Sequence, residues 1–132
     1  MRLLLIGFPE EEVRRILKET GIPVIPVPEH FKGLKVREIL ERTCEKASIW
    51  TDRKFVIMHG VDNETLKRVI SIVRGISRER VIFATTTETS LEWPLERLLD
   101  ELVQEDEYFR AMREAKKQAP KGPYLDLGIG KG

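Results

Sequence analysis

The residues best equipped for chemistry sit in two short segments. His59 and Asp62 follow the apolar run Phe55-Val56-Ile57-Met58. Thr85, Thr86, Thr87 and Glu88 follow a second run, Val81-Ile82-Phe83-Ala84. A histidine titrates near neutral pH, so His59 and Glu88 together offer an acid and a base, or two metal ligands. The spacing is not diagnostic: His59, Asp62 and Glu88 match no standard metal site, and His30 is the only other histidine. A phosphohistidine at His59 has only its strand-end position to support it. There is no Gly-x-Ser-x-Gly elbow for a hydrolase. Gly128-Ile129-Gly130-Lys131-Gly132 lacks the preceding strand and following helix that a phosphate loop needs. Plainer roles cover the same residues. Asp62 is a good helix N-cap, Gly60 permits a turn, and threonine hydroxyls satisfy loop backbone groups. The carboxylate of Asp62 also opposes an anion at that helix N-terminus.

The elements that must position these residues follow from periodicity. Leu3-Leu4-Leu5-Ile6, Phe55–Met58 and Val81–Ala84 are apolar without alternation, as in strands covered on both faces. Ile22–Val27 carries Pro23 and Pro26, and proline cannot donate to a ladder, so this strand belongs at an edge. Pro9 with Glu10, Glu11 and Glu12 opens one helix. Val36, Ile39, Leu40, Thr43 or Cys44, and Ala47 mark a second. Leu66, Val69, Ile70, Val73 and Ile76 mark a third, and Pro94 starts a fourth. The alternation predicts an α/β fold of three layers around a four-stranded, mainly parallel sheet in order 2-1-3-4, a truncated flavodoxin-like arrangement. No internal repeat stands out. Parallel strands 1 and 3 would create a switch-point cleft. Phe8, His59, Asp62, Thr85, Thr86, Thr87, Glu88 and Trp93 are its candidate ligand-binding residues. Cys44 reads as a small core residue on the second helix.

The fourth helix, Pro94 to about Gln118, would span roughly 36 Å at 1.5 Å per residue, against ~17–20 Å for a typical strand. It must overhang the sheet or break near Glu105-Asp106-Glu107. The expected division is a domain over 1–105 and a C-terminal helical extension with a Gly-rich tail over 106–132. Tyr108, Phe109 and Met112, with the alternating Leu125, Leu127 and Ile129, are candidate interface residues for a second copy or another protein.

Composition narrows the function classes. The chain has 132 residues, 41% of them apolar, and a net charge of +1. That suits one domain with a real core and gives no field to attract nucleic acid or anionic lipid. Basic residues at 78–80 and 113–121 are interleaved with acids, as on a solvated face. Cys44 is the only cysteine, so neither an intrachain disulfide nor a thiolate cluster can form. No stretch approaches the ~18 apolar residues of a membrane span. A cytoplasmic protein is expected. Asn63, Gln104 and Gln118 are the only amides, and with 34% charged residues this is a thermophile composition.

Phe55-Val56-Ile57-Met58-His59-Gly60, Ile82-Phe83-Ala84-Thr85-Thr86-Thr87, Leu91-Glu92-Trp93-Pro94-Leu95 and Leu98-Leu99-Asp100-Glu101-Leu102 together resemble a known family. It is a short uncharacterised domain of bacterial and archaeal proteins with a threonine loop, a tryptophan and a leucine-rich helix. The resemblance covers about residues 55–109. It implies a domain of unknown function and supplies no catalytic residue, metal or cofactor. The expectation is therefore a non-enzymatic binding or protein-interaction module that self-associates through the C-terminal extension. The alternative is a small-molecule-binding domain or enzyme using His59 and Thr85–Glu88.

Overall fold

Each apolar run becomes a strand, and the amphipathic stripes become helices except beyond Leu40, in the computed structural model, which describes residues 1–44 and 47–116. The order is β1 (Arg2–Ile6), α1 (Glu10–Thr20), β2 (Val24–Pro26), a 3-10 turn at Glu29–Phe31, α2 (Val36–Leu40), β3 (Lys54–His59), α3 (Asn63–Ile76), β4 (Val81–Thr85), α4 (Glu88–Leu91) and α5 (Leu95–Lys116). The four strands form one sheet in order β2-β1-β3-β4, with the proline-bearing strand at an edge. Strand side chains divide between two cores. Leu4, Ile6, Phe55, Ile57, Ile82 and Ala84 pack with α2 and α5 on one face. Leu3, Leu5, Val56, Met58 and Phe83 pack with α1 and α3 on the other. The result has three layers, with the sheet in the middle.

The sheet is mixed rather than mainly parallel. β1–β2 and β3–β4 are parallel pairs, but β1 and β3 run antiparallel, with Leu4 opposite Ile57. The cause lies between β2 and β3. The apolar stripe from Val36 continues in sequence to Ala47, yet α2 ends at Leu40 and Cys44 lies beyond it, half-buried against the core. Five helical residues rise only about 7 Å, too little to return the chain along a strand. The connector instead stays at the C-terminal end of β1 and β2. The Trp50 indole Nε1 donates to the Val27 carbonyl at 2.8 Å. Arg53 passes so close to Gly7 that a Cβ there would lie 2.2 Å from the Arg53 carbonyl oxygen. Gly7 also has φ +85°, a conformation that glycine adopts without strain. β3 therefore starts where β1 ends.

This geometry gives the fold an internal pseudo-two-fold, which the sequence did not advertise. β1-α1-β2-α2 and β3-α3-β4-α4-α5 are related by a pseudo-two-fold axis through the Leu4–Ile57 pair. Leu3 pairs with Met58 and Leu5 with Val56, one pair becoming the other under the rotation. Gly7 and Gly60 both have positive φ at the equivalent turn. Pro9 and Asp62 are the equivalent N-caps. On the far face, the Val36 amide donates to the Trp93 carbonyl at 3.0 Å and the Leu95 amide donates to the Leu34 carbonyl at 2.9 Å. That exchange is reciprocal, as a two-fold requires.

The last helix does not break. α5 is continuous over 22 residues, about 33 Å. Its acidic stretch is tied to the sheet end. Asp106 is fully buried and receives two hydrogen bonds from the Arg80 guanidinium. The Arg53 guanidinium meets Glu107 at 3.0 Å. Phe109 is only 4% exposed and joins the core, while Tyr108 is 56% exposed. Asp106 and Phe109, in the segment expected as an extension, are thus buried with the core. Met112 is half-buried, and Leu125, Leu127 and Ile129 lie outside the described residues. No helix among the described residues is long and apolar enough to cross a membrane.

Candidate functional site

The antiparallel β1–β3 pair removes the expected switch-point cleft. Strands 1 and 3 finish at opposite ends of the sheet, so Phe8 and His59 lie far apart along the strands. Phe8 is buried in the α1–α3 core, and the Lys54 ammonium lies 5.4 Å from its ring centroid. Lys54 is itself buried, held at 2.8 Å by both Glu12 and Ser77. Phe8 thus serves packing.

The other candidates remain at the C-terminal end of β3 and β4, with separate tasks. His59 is half-buried, and its Nδ1 lies 2.8 Å from the Thr86 hydroxyl. Asp62 caps α3, accepting from the Thr65 amide at 2.8 Å. The Thr65 hydrogen bonds hold its carboxyl below the usual carboxylate range. Thr87 caps α4 in a reciprocal box. The Ser90 amide donates to the Thr87 hydroxyl at 3.0 Å, and the Thr87 amide donates to the Ser90 hydroxyl at 2.9 Å. Glu88 is exposed in the first turn of α4. Among the described residues, no three His, Cys, Asp or Glu side chains group as a metal site would require.

What converges here is a cavity of about 210 Å³ between the end of β4, α4 and α5. Ala84, Trp93, Leu98 and Leu102 give it an apolar wall. Thr85, Thr87, Thr89 and Ser90 give it hydroxyls, and Glu101 and Glu105 give it carboxylates. Three of the sequence candidates, Thr85, Thr87 and Trp93, line it, whereas His59, Thr86, Glu88 and Asp62 do not. Trp93 is fixed at its backbone by Val36 and at its ring by Arg97, whose guanidinium lies 4.2 Å from the centroid. Burial raises the Glu105 carboxyl above the usual range, and the nearby charge of Glu101 raises it further.

Sequence reasoning missed Glu101 and Glu105. Their signal was present: Leu98, Glu101, Leu102 and Glu105 recur at i, i+3, i+4 and i+7. That spacing sets both carboxylates on the border of the helix's apolar stripe. In the sequence Glu101 reads only as part of the leucine-rich helix, and Glu105 only as part of the acidic stretch where that helix could break.

The residues around this cavity belong to one half of the pseudo-two-fold, a β-α-β-α unit ending in a threonine loop, a tryptophan and a leucine-rich helix. Residues 54–109 match the family model described as a domain of unknown function (DUF3783). The match opens on the first residue of β3 and closes on Phe109, the deeply buried ring near the far end of α5. The match thus falls within the second half of the pseudo-two-fold, and the first half lies outside it. No curated protein and no solved structure matches the chain.

Proposed function

We propose that the chain is a non-catalytic binding module whose recognition site is the cavity at the end of β4. One observation carries this reading: an apolar wall, a set of hydroxyls and two carboxylates meet in a single concave space, the usual make-up of a ligand site. The space suits one side-chain-sized group. The rival reading, an enzyme built on His59 and Glu88, has less support because neither residue lines the cavity. Self-association through the C-terminal extension also has less to stand on, since Phe109 packs inward and, among the described residues there, Tyr108 is the aromatic left exposed.

The test is a thermal-shift screen of small fragments against the intact chain and Thr89→Trp. Thr89 is an exposed residue on the cavity rim, so tryptophan there should fill the space without disturbing the core. A fragment at 100 times its Kd should stabilise the native chain by about 2.7 kcal/mol and leave the Thr89→Trp variant unshifted. The reading fails if every stabilising fragment acts equally on both proteins.

A further inference from the structure

We propose that the free edge of β4 accepts an extended peptide as a fifth strand, with a lysine or arginine side chain of that peptide entering the cavity between Trp93, Glu101 and Glu105. The inference rests on the cavity being the recognition site and names its occupant.

β4 is the terminal strand of the sheet. The Thr86 amide donates to the Met58 carbonyl at 3.0 Å. Backbone groups alternate sides along a strand, so Ala84 and Ile82 face β3 with Thr86, while Phe83 and Thr85 direct theirs away from the sheet. No described residue forms a backbone bond to that outer edge from another element. An unpaired row of this kind is a template for strand addition. It is also short, and it ends at the cavity mouth, where Ala84 and Thr85 are lining residues.

The side-chain chemistry follows from the pleat. A peptide residue directly beside Ala84 would project onto the same face as Ala84, the face covered by α5. Neighbouring Cβ atoms across a strand pair lie roughly 5 Å apart, so a long side chain starting there reaches the carboxylates on α5. Leu98 and Leu102 would cover its methylene stem, and Glu101 and Glu105 would meet its charge. The two acids stand one helical turn apart and repel each other. A cation between them offsets that repulsion and the cost of burying Glu105, whereas an anion adds to both. The pocket alone would accept a free amine, but pocket and edge together select a basic residue within an extended chain.

The test uses the full chain and four blocked pentapeptides of alternating valine and threonine, whose central residue is lysine, arginine, norleucine or glutamate. Affinity is measured by calorimetry. The lysine and arginine peptides should bind, norleucine should bind at least about tenfold more weakly, and glutamate should not bind. Glu105→Gln and Glu101→Gln should each weaken the basic peptides about tenfold and leave the norleucine peptide unchanged. Methylating alternate backbone amides of the lysine peptide should abolish binding. If butylamine binds as tightly as the lysine peptide, or the methylated peptide binds normally, strand addition is overturned while the cavity keeps its role. If norleucine and glutamate peptides match lysine, the charge assignment is overturned. If neither peptides nor fragments bind, both this inference and the proposed function fall.

Discussion

Gly7→Ala is expected to destabilise the protein by about 3 kcal/mol, whereas Gly60→Ala, at the equivalent turn of the other half, costs about 1 kcal/mol. Both glycines have positive φ, so both variants carry the left-handed penalty. Their surroundings differ. A methyl at Gly60 would meet Met1 atoms no nearer than 3.6 Å, ordinary contact. A methyl at Gly7 would collide with the Arg53 carbonyl oxygen, a backbone atom that cannot swing away without moving the start of β3. Because β3 sits between β1 and β4, that shift disturbs two strand pairs. Urea denaturation of both variants reads the difference directly. Equal losses would mean that Arg53 does not cross Gly7, and the account of why β3 turns antiparallel would fail with it.

Arg80→Met is expected to cost about 3 kcal/mol, among the largest effects for a residue that is more than a third exposed. The reason is its partner. Asp106 is fully buried, and the Arg80 guanidinium reaches it through two nitrogens. Burying a carboxylate is expensive, and withdrawing the guanidinium removes a charge and two hydrogen bonds that offset that expense. The reverse change, Asp106→Asn, should cost less, because an exposed guanidinium can be rehydrated. Thermal unfolding of the two variants checks the order, and a milder loss for Arg80→Met than for Asp106→Asn would contradict it. By the same reasoning, truncation before residue 106 should unfold the chain, since it removes both Asp106 and Phe109 from the core.

Much of this fold was legible in the residues. The apolar runs at 3–6, 55–58 and 81–84 became the central strands and the open edge strand, the prolines sent β2 to the opposite edge, and Asp62 capped its helix. Strand direction was not legible, because the rule that alternating strands and helices give parallel neighbours holds only when each helix is long enough to cross the sheet. Val36–Leu40 is not, and Thr43, Cys44 and Ala47, spaced as a continuing stripe, disguised its length. The pseudo-two-fold was hidden because the halves share little identity: Leu-Leu-Leu-Ile-Gly in one corresponds to Val-Ile-Met-His-Gly in the other. What persists is a glycine after each inner strand, a pattern that gains meaning only once the two-fold is seen. The site was half legible. Thr85, Thr87 and Trp93 were found by their position past a strand, while Glu101 and Glu105 come from a helix that folds back over that end. Chain direction decided which polar residues meet.

The account turns on β1 and β3 meeting head to tail at Leu4 and Ile57, because that pairing sends Phe8 to one end of the sheet and leaves the cavity to the second half alone. The Leu3 amide bonds to the Pro23 carbonyl just before β2, so Leu3–Met58 and Leu5–Val56 are the pairs that do not exchange hydrogen bonds, with Cα atoms about 4.5 Å apart. A nuclear Overhauser spectrum of the labelled protein tests this in one measurement. Strong Hα–Hα cross-peaks between Leu3 and Met58 and between Leu5 and Val56 are the predicted result. Their absence, with the evenly spaced Hα-to-amide pattern of parallel strands in their place, would contradict the fold and return Phe8 to the same end as His59.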